Sequence, residues 1–239
     1  MIKTILGFGY LVFAMLFLLP FAVASFVFYL LGFRKLMRTA IYRLAQIWAR
    51  TLVPIAVTKI TATGKENIPK KGGVCFVSNH SGFFDIVLLL AFCGRPFGFI
   101  AKKELLLVPF LNMWIYMLGG HFIDRSNVRK AVRTINKGIK SIKAGGGMLI
   151  FPEGHRSKGR GLLPFHPGSL KLATQADATI VPVAIEGSYD VYEKNKRVVS
   201  SVVKIAFLPP IETANLPPEG KKQVLCDRIY SAIKAELGY

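Results

Sequence analysis

His80 and Asp85 lie five positions apart in the run Asn79-His80-Ser81-Gly82-Phe83-Phe84-Asp85. Across a turn, a carboxylate at that spacing can fold back onto one imidazole nitrogen. It then fixes that nitrogen as the N–H and leaves the other as a base. A second run, Phe151-Pro152-Glu153-Gly154-His155-Arg156-Ser157, carries a carboxylate and a guanidinium on a turn forced by Pro152 and Gly154. Asp124-Arg125 supplies another guanidinium. The planar arginine fork matches phosphate oxygens. Together these residues can activate a hydroxyl while holding a phosphorylated substrate. Plainer readings stand beside this one. Asp85 can simply cap a helix, with His80 in the turn before it, and Glu153 with Arg156 can form a surface ion pair.

Several chemistries find no motif. The chain has no GxSxG nucleophile elbow and no HExxH or Walker A pattern. Without a marked nucleophile, His80 acts on the substrate's own hydroxyl, which favours direct transfer over a covalent enzyme intermediate. Cys75, Cys93 and Cys226 are widely spaced and lack CxxC. They read as small buried hydrophobes in a reducing compartment, not as a disulfide framework or zinc site. His121, His155 and His166 read as turn or supporting residues, because no carboxylate–histidine spacing around them forms a metal cage. No metal and no cofactor is expected.

The elements that must position these residues follow from hydrophobic periodicity. Residues 57–63 alternate as a strand, 64–73 form a polar turn region, and 73–79 read as a strand ending at His80. A helix is expected over 85–92 and a strand over 97–101. The apolar stretch 105–118, interrupted by Pro109 and Asn112, reads as a core helix, or as a seat for an acyl chain. Residues 122–123 form a brief strand before Asp124-Arg125. Ser126 caps a helix running to 144, ended by Gly145-Gly146-Gly147. Strands follow at 148–151, 179–185 and 202–207, with a helical stretch at 169–176 and a closing helix at 221–237. Alternating strands and helices predict an α/β domain with a mixed, mainly parallel sheet flanked by helices. Such sheets bind ligands at the carboxyl ends of their strands, where the charged turns fall. On the 126–144 helix, Val128, Val132, Ile135, Ile139 and Ile142 share one side. Arg129, Lys130, Arg133, Lys137, Lys140 and Lys143 fall on the other with no acid to offset them. An anionic surface would relieve that repulsion, and so would plain solvation.

The chain is 239 residues long, 52% hydrophobic, and contains 18 Phe. Its mean hydropathy of +0.42 is high for a soluble domain. The excess is concentrated in residues 4–33, thirty positions without a charge. A helix needs about 20 apolar residues to cross a bilayer. Pro20 divides the segment, so it fits either a single tilted or kinked span or a helical hairpin bent at Pro20 that enters one leaflet. Its apolar core exceeds the ~7–15 residues of a signal peptide, and more apolar sequence follows the small-x-small run Ala22-Val23-Ala24. A retained anchor is expected. Lys3 precedes it, whereas Arg34, Lys35, Arg38, Arg43 and Arg50 follow. The positive-inside rule therefore puts the remainder on the cytoplasmic face of the membrane. Residues 35–52 form an amphipathic helix, stopped by Pro54, that either rests among headgroups or packs on the domain. Residues 1–54 are read as anchor and amphipathic helix, and 55–239 as the catalytic domain.

Lysine and arginine total 32 against 13 acids, a formal charge of +19. That balance calls for an anionic partner. No nucleic-acid-binding pattern is present, so anionic membrane lipid and a phosphorylated substrate are the expected partners, and nucleic acid is not.

In order along residues 57–210 run Asn79-His80 to Asp85, Lys103-Glu104-Leu105, Gly119-Gly120-His121-Phe122-Ile123-Asp124-Arg125, 151–157, and Val181-Pro182-Val183-Ala184-Ile185. In these ordered blocks the chain resembles the 1-acyl-sn-glycerol-3-phosphate acyltransferases (lysophosphatidate acyltransferases) among the glycerolipid acyltransferases. The resemblance implies that His80 and Asp85 are the catalytic dyad. It implies that Arg125, Glu153, Gly154 and Arg156 bind the glycerol phosphate. Asn79, Asp124, Ser157 and Pro182 then support the site from behind. The chain departs from the family pattern at His155, where Thr is usual. It departs again at Phe165-His166-Pro167-Gly168, where Phe-Lys-x-Gly is common.

The implied reaction moves a fatty acyl group from acyl-CoA or acyl-carrier protein to the 2-hydroxyl of lysophosphatidate, giving phosphatidate for phospholipid biosynthesis. A backbone N–H near Gly154 or the His80 turn would receive the oxyanion. Alternatives keep the dyad but change the acceptor to a lyso-ornithine lipid, another lysophospholipid or glycerol 3-phosphate. A non-catalytic basic membrane adaptor is the alternative from a different class.

Overall fold

The structure is a computed structural model and describes residues 2–214 and 221–239. Helix α1 (Ile2–Phe17) and α2 (Leu19–Leu30) are separated by Leu18 alone. Leu18 keeps helical dihedrals and its N–H reaches Ala14 O at 2.9 Å. Pro20 therefore kinks one long helix and does not reverse it, in line with the kinked span and against a hairpin bent at Pro20. A proline near a helix start costs little, because the N–H it lacks has few partners there. The chain reverses later, at Gly32, where φ is +102°.

Helix α3 (Arg34–Ala56) runs back along the pair: Tyr10 and Thr51 hydroxyls meet, and Leu18 and Phe26 pack with Ile41. Pro54 does not stop it; α3 continues to Ala56, and Val57 N–H still bonds Val53 O. In the last turn a proline forfeits one bond, which the tertiary packing of Val53 and Ala56 offsets. Of the two settings expected for this helix, packing on the domain is the one observed: Tyr42, Ala45, Ala49 and Val53 enter the central core. The side chains of Lys3, Arg34 and Lys35, on which the charge asymmetry partly rests, lie outside those described.

The strands are β1 (Val57–Thr63), β2 (Val74–Ser78), β3 (Phe97–Lys102), β4 (His121–Ile123), β5 (Gly147–Ile150), β6 (Thr179–Glu186), β7 (Ser201–Phe207) and β8 (Ile211–Glu212). They form one sheet in the order β1-β7-β6-β2-β5-β3-β4, with β8 beside β6. Strands β2 to β6 are mutually parallel, and β6 meets β7 and β8 antiparallel. The sheet is mixed and mainly parallel, as the alternation predicts.

Alternate residues of the buried strands serve two cores. Val74 and Phe76 face one side with Val181 and Val183, under α3 and α4 (Phe84–Phe92). Cys75 and Val77 face the other with Met148 and Ile180. There they meet α6 (Val128–Lys143), α7 (Lys171–Thr174) and α8 (Lys221–Glu236). A period of two along strands that are apolar on both faces is what a sheet covered by helices demands.

Four local expectations change. Asn127, not Ser126, caps α6, accepting Lys130 N–H at 3.0 Å; Ser126 is held by Asp124 instead. Val128 and Val132 of the apolar stripe are exposed, and only its later part, Ile139 and Ile142, is buried. The 105–118 stretch is not one core helix. It is a 3-10 turn (Lys103–Leu107), a break at Pro109 and Phe110, and α5 (Leu111–Met117). Trp114, Ile115 and Met117 are buried, whereas Leu107 is 84% exposed, with Leu106, Val108 and Phe110 also outside. Residues 169–176 hold a 3-10 turn and only the short α7. Among the described residues, one stretch, Thr4–Phe21, is long and apolar enough to cross a membrane, with mean hydropathy 2.1.

Candidate active site

Strand β2 is fully buried between β5 and β6, and His80 stands two residues beyond its end. Asn79 clamps that end to β6: its Nδ2 donates to Ile185 O and its Oδ1 accepts Ile185 N–H, both at 2.8 Å. Four parallel strands deliver residues to the same edge: His80 follows β2, Lys103 β3, Arg125 β4, and Glu153 to Ser157 β5.

His80 Nδ1 lies 2.7 Å from Asp85 Oδ2. That oxygen also accepts Ser81 N–H at 2.8 Å and Gly82 N–H at 3.0 Å, which is the backbone turn that the spacing called for. Asp85 is fully buried in the first turn of α4, where the helix dipole favours its charge. Its Oδ1 is buried without a partner. A carboxylate so placed can only accept, so His80 carries its proton on Nδ1 and presents Nε2 as the base. The Phe151 ring stacks on the imidazole at 3.9 Å, fixing its plane. The His80 side chain remains 18% exposed.

The turn after β5 grips His80 from both sides. Glu153 Oε1 accepts His80 N–H at 2.6 Å, and Ser157 N–H bonds His80 O at 2.7 Å. Glu153 Oε2 accepts Leu163 N–H at 3.2 Å. Glu153 is 1% exposed, and both its oxygens hold the turn. Burial pushes its carboxyl up to about 7, against the two N–H bonds, which pull it down. Gly154 has φ +74°, a left-handed conformation that a Cβ would strain. Its carbonyl accepts from Arg125 Nη1, which tethers β4's arginine to the turn that holds His80.

The cations differ in their pairing. Lys103 Nζ meets Asp124 Oδ1 at 2.9 Å. The Ser126 hydroxyl and Lys103 together hold the Asp124 carboxyl down at about 2, and the same bond to Asp124 raises Lys103. Arg156 Nη1 meets Glu193 Oε1 at 3.0 Å, and its guanidinium lies over the Phe83 ring at 3.6 Å. Arg125 is exposed and has no acidic partner among the described residues. Of these three cations, it is the one whose charge is left uncompensated for an incoming anion.

Four of the expected supporting residues have defined places. Asn79 joins strands, Asp124 holds Lys103, and Ser157 locks His80. Pro182 sits inside β6 opposite Val77, buried and away from the rim. Of the amides in the two turns expected to face the oxyanion, those of His80, Ser81, Gly82, Gly154 and Ser157 are engaged within the protein. Glu193, Phe83 and Phe151 join the site beyond the residues expected of it, and Lys103 gains a role as the partner of Asp124. Lys103 had a signal, its place at a strand end. Glu193 had none. A cavity of about 300 Å³ lies beside the turn, lined by Asn79, Ser81, Ser157, Tyr189, Lys194 and Tyr239 among others; His80 and Arg125 are not in its walls. No group of three or more His, Cys, Asp or Glu residues able to hold a metal ion occurs among the described residues.

A sequence model of the acyltransferase family matches residues 59–186, a span that contains His80, Asp85, Arg125 and Arg156. The 1-acyl-sn-glycerol-3-phosphate acyltransferase of Borreliella burgdorferi is 34% identical over 157 residues, covering 64% of this chain and 63% of that protein. The enzyme of the same name from Escherichia coli is 32% identical over 174 residues, covering 72% of this chain and 69% of the relative. The chain thus spans about two thirds of the length of these relatives. The crystal structure of the 1-acyl-sn-glycerophosphate (LPA) acyltransferase PlsC from Thermotoga maritima superimposes with a TM-score of 0.84. The superposition covers 100% of this chain and 96% of that one at 24% identity, so the two share a fold. With its dyad at the end of β2 and the family match running through the turns that carry His80, Asp85, Arg125 and Arg156, the chain belongs to the acyltransferase family, among the 1-acyl-sn-glycerol-3-phosphate acyltransferases.

Proposed function

We propose that this protein transfers a fatty acyl group from a thioester, acyl-CoA or acyl-carrier protein, to the 2-hydroxyl of lysophosphatidate, giving phosphatidate. One observation carries the reading: a His80 imidazole tied through Nδ1 to a buried carboxylate and gripped by the 151–157 turn, whose Gly154 carbonyl accepts from Arg125. Nε2 takes the proton of the acceptor hydroxyl as its oxygen attacks the thioester carbonyl. Asp85 steadies the imidazolium that forms. The tetrahedral intermediate then collapses, the C–S bond breaks, and the thiolate leaves with the proton returned from Nε2. General-base help of this kind is worth roughly 10²–10⁴-fold. Arg125 holds the phosphate and so orients the neighbouring hydroxyl.

The same reading puts the domain at the cytoplasmic face of a membrane, among anionic lipids. The apolar Thr4–Phe21 window and the cations of α3 and α6 support it. Product analysis by thin-layer chromatography, with purified protein, each labelled donor and a panel of lysolipid acceptors, tests the assignment. Phosphatidate from lysophosphatidate is the expected product. Folded His80→Ala protein that keeps near-wild-type turnover would rule the mechanism out.

A further inference from the structure

Glu193 lies in the loop after β6, outside every motif run, yet the catalytic turn converges on it. Its Oε1 accepts Phe83 N–H at 2.7 Å and Arg156 Nη1 at 3.0 Å. A Cβ at Gly82 would come within 2.7 Å of Oε2, so a larger residue there would displace the carboxylate. Glu193 is 8% exposed, and Oε2 is buried without a partner. A carboxylate withdrawn this far from water is costly unless its charge is matched, and Arg156 is the matching charge. The guanidinium in turn lies 3.6 Å over Phe83, a ring that is itself 62% exposed. Arg156 is thus clamped between a carboxylate and an aromatic face, both belonging or bonded to the 80–85 turn. Only one of its five N–H donors is used on Glu193.

We infer that Glu193 is a positioning residue that presents Arg156 to the acceptor's phosphate. This rests on the function proposed above and deepens it by adding the second arginine's support. A long arginine side chain left free samples many rotamers, and holding it in one arrangement before binding removes that cost from association. Glu193 touches no reacting atom; it acts through Arg156.

A double-mutant cycle on the full chain tests this, with KM for lysophosphatidate and kcat measured separately. Glu193→Ala should raise KM by roughly tenfold, the scale of one charge-assisted hydrogen bond, with kcat held within about threefold. Glu193→Gln, which keeps an acceptor for Phe83 N–H and guards against loss of the fold, should fall between wild type and Glu193→Ala. In an Arg156→Ala background neither change should raise KM further. An unchanged KM in both Glu193 variants would overturn the inference. So would effects of Glu193→Ala and Arg156→Ala that multiply. Wild-type protein that fails to acylate lysophosphatidate would instead overturn the proposed acceptor. The cycle is then run on whichever phosphorylated acceptor the wild type uses, and its outcome still decides the place of Glu193.

Discussion

Asp85→Asn separates two things that the carboxylate does. Oδ2 receives His80 Nδ1–H at 2.7 Å together with the Ser81 and Gly82 amides at 2.8 and 3.0 Å. Those amides decide how the substituted side chain sits. An NH2 group facing them would oppose two N–H donors, so the amide oxygen takes the Oδ2 position. His80 then keeps its proton on Nδ1 and its base on Nε2. What disappears is the negative charge beside the imidazolium. At 2.7 Å and an effective dielectric constant of about 20, that attraction is roughly 6 kcal/mol. Water reaching the partly open imidazole reduces it, and a loss of about 3–4 kcal/mol, or about 10²–10³ in kcat, is expected. The new NH2 lands where Oδ1 is buried without a partner, so stability should fall by about 1–3 kcal/mol. Initial rates at saturating lysophosphatidate and labelled thioester, with thermal melts on the same preparations, give both quantities. Folded Asp85→Asn protein whose kcat stays within about tenfold of wild type would refute this account of the dyad.

Arg125→Ala should raise KM for lysophosphatidate by about 10–100-fold while changing kcat less, and Arg125→Lys should recover little, because a point charge does not reproduce the planar fork. Gly154→Ala should lower stability by about 1–2 kcal/mol, since φ is +74°, and should also raise KM by shifting the carbonyl that Arg125 grips. Melts and initial rates check both effects. Glu153, raised to about 7 in the fold, binds a proton that the unfolded chain has already shed. Its contribution is therefore complete below about pH 4.5 and falls as pH rises through 7, by up to about 3 kcal/mol. Urea titrations between pH 5 and 8 should show wild type losing stability relative to Glu153→Gln; a pH-independent difference would contradict the burial argument.

The sheet and its carboxyl edge were readable because buried parallel strands are short apolar runs bounded by glycine and charge, as in 73–79 and 148–151. The dyad was readable because a five-residue turn is local: sequence spacing sets the His80–Asp85 geometry almost alone. Roles that depend on tertiary approach were not. Glu153 and Arg125 look alike on paper as charges at strand ends. One is buried under His80 and the other is exposed without an acidic partner among the described residues, and only packing separates them. Glu193 reaches Phe83 from 110 positions away, with no periodicity or motif to mark it. The 105–118 stretch misled for the opposite reason. Its apolar residues imply burial, yet Leu107 and Phe110 stay outside because Pro109 breaks the helix before they can turn inward.

The base rises from the innermost strand, whose five residues are wholly enclosed, while Leu106 and Leu107 sit on a broken, open rim. In deuterium exchange the amides of 74–78 should yield only when the entire molecule opens, and those of 103–110 at far lower protection. Insertions or substitutions along that outer loop can then be accommodated without disturbing the imidazole's aim. Rim and chemistry become separable traits, free to drift at different speeds.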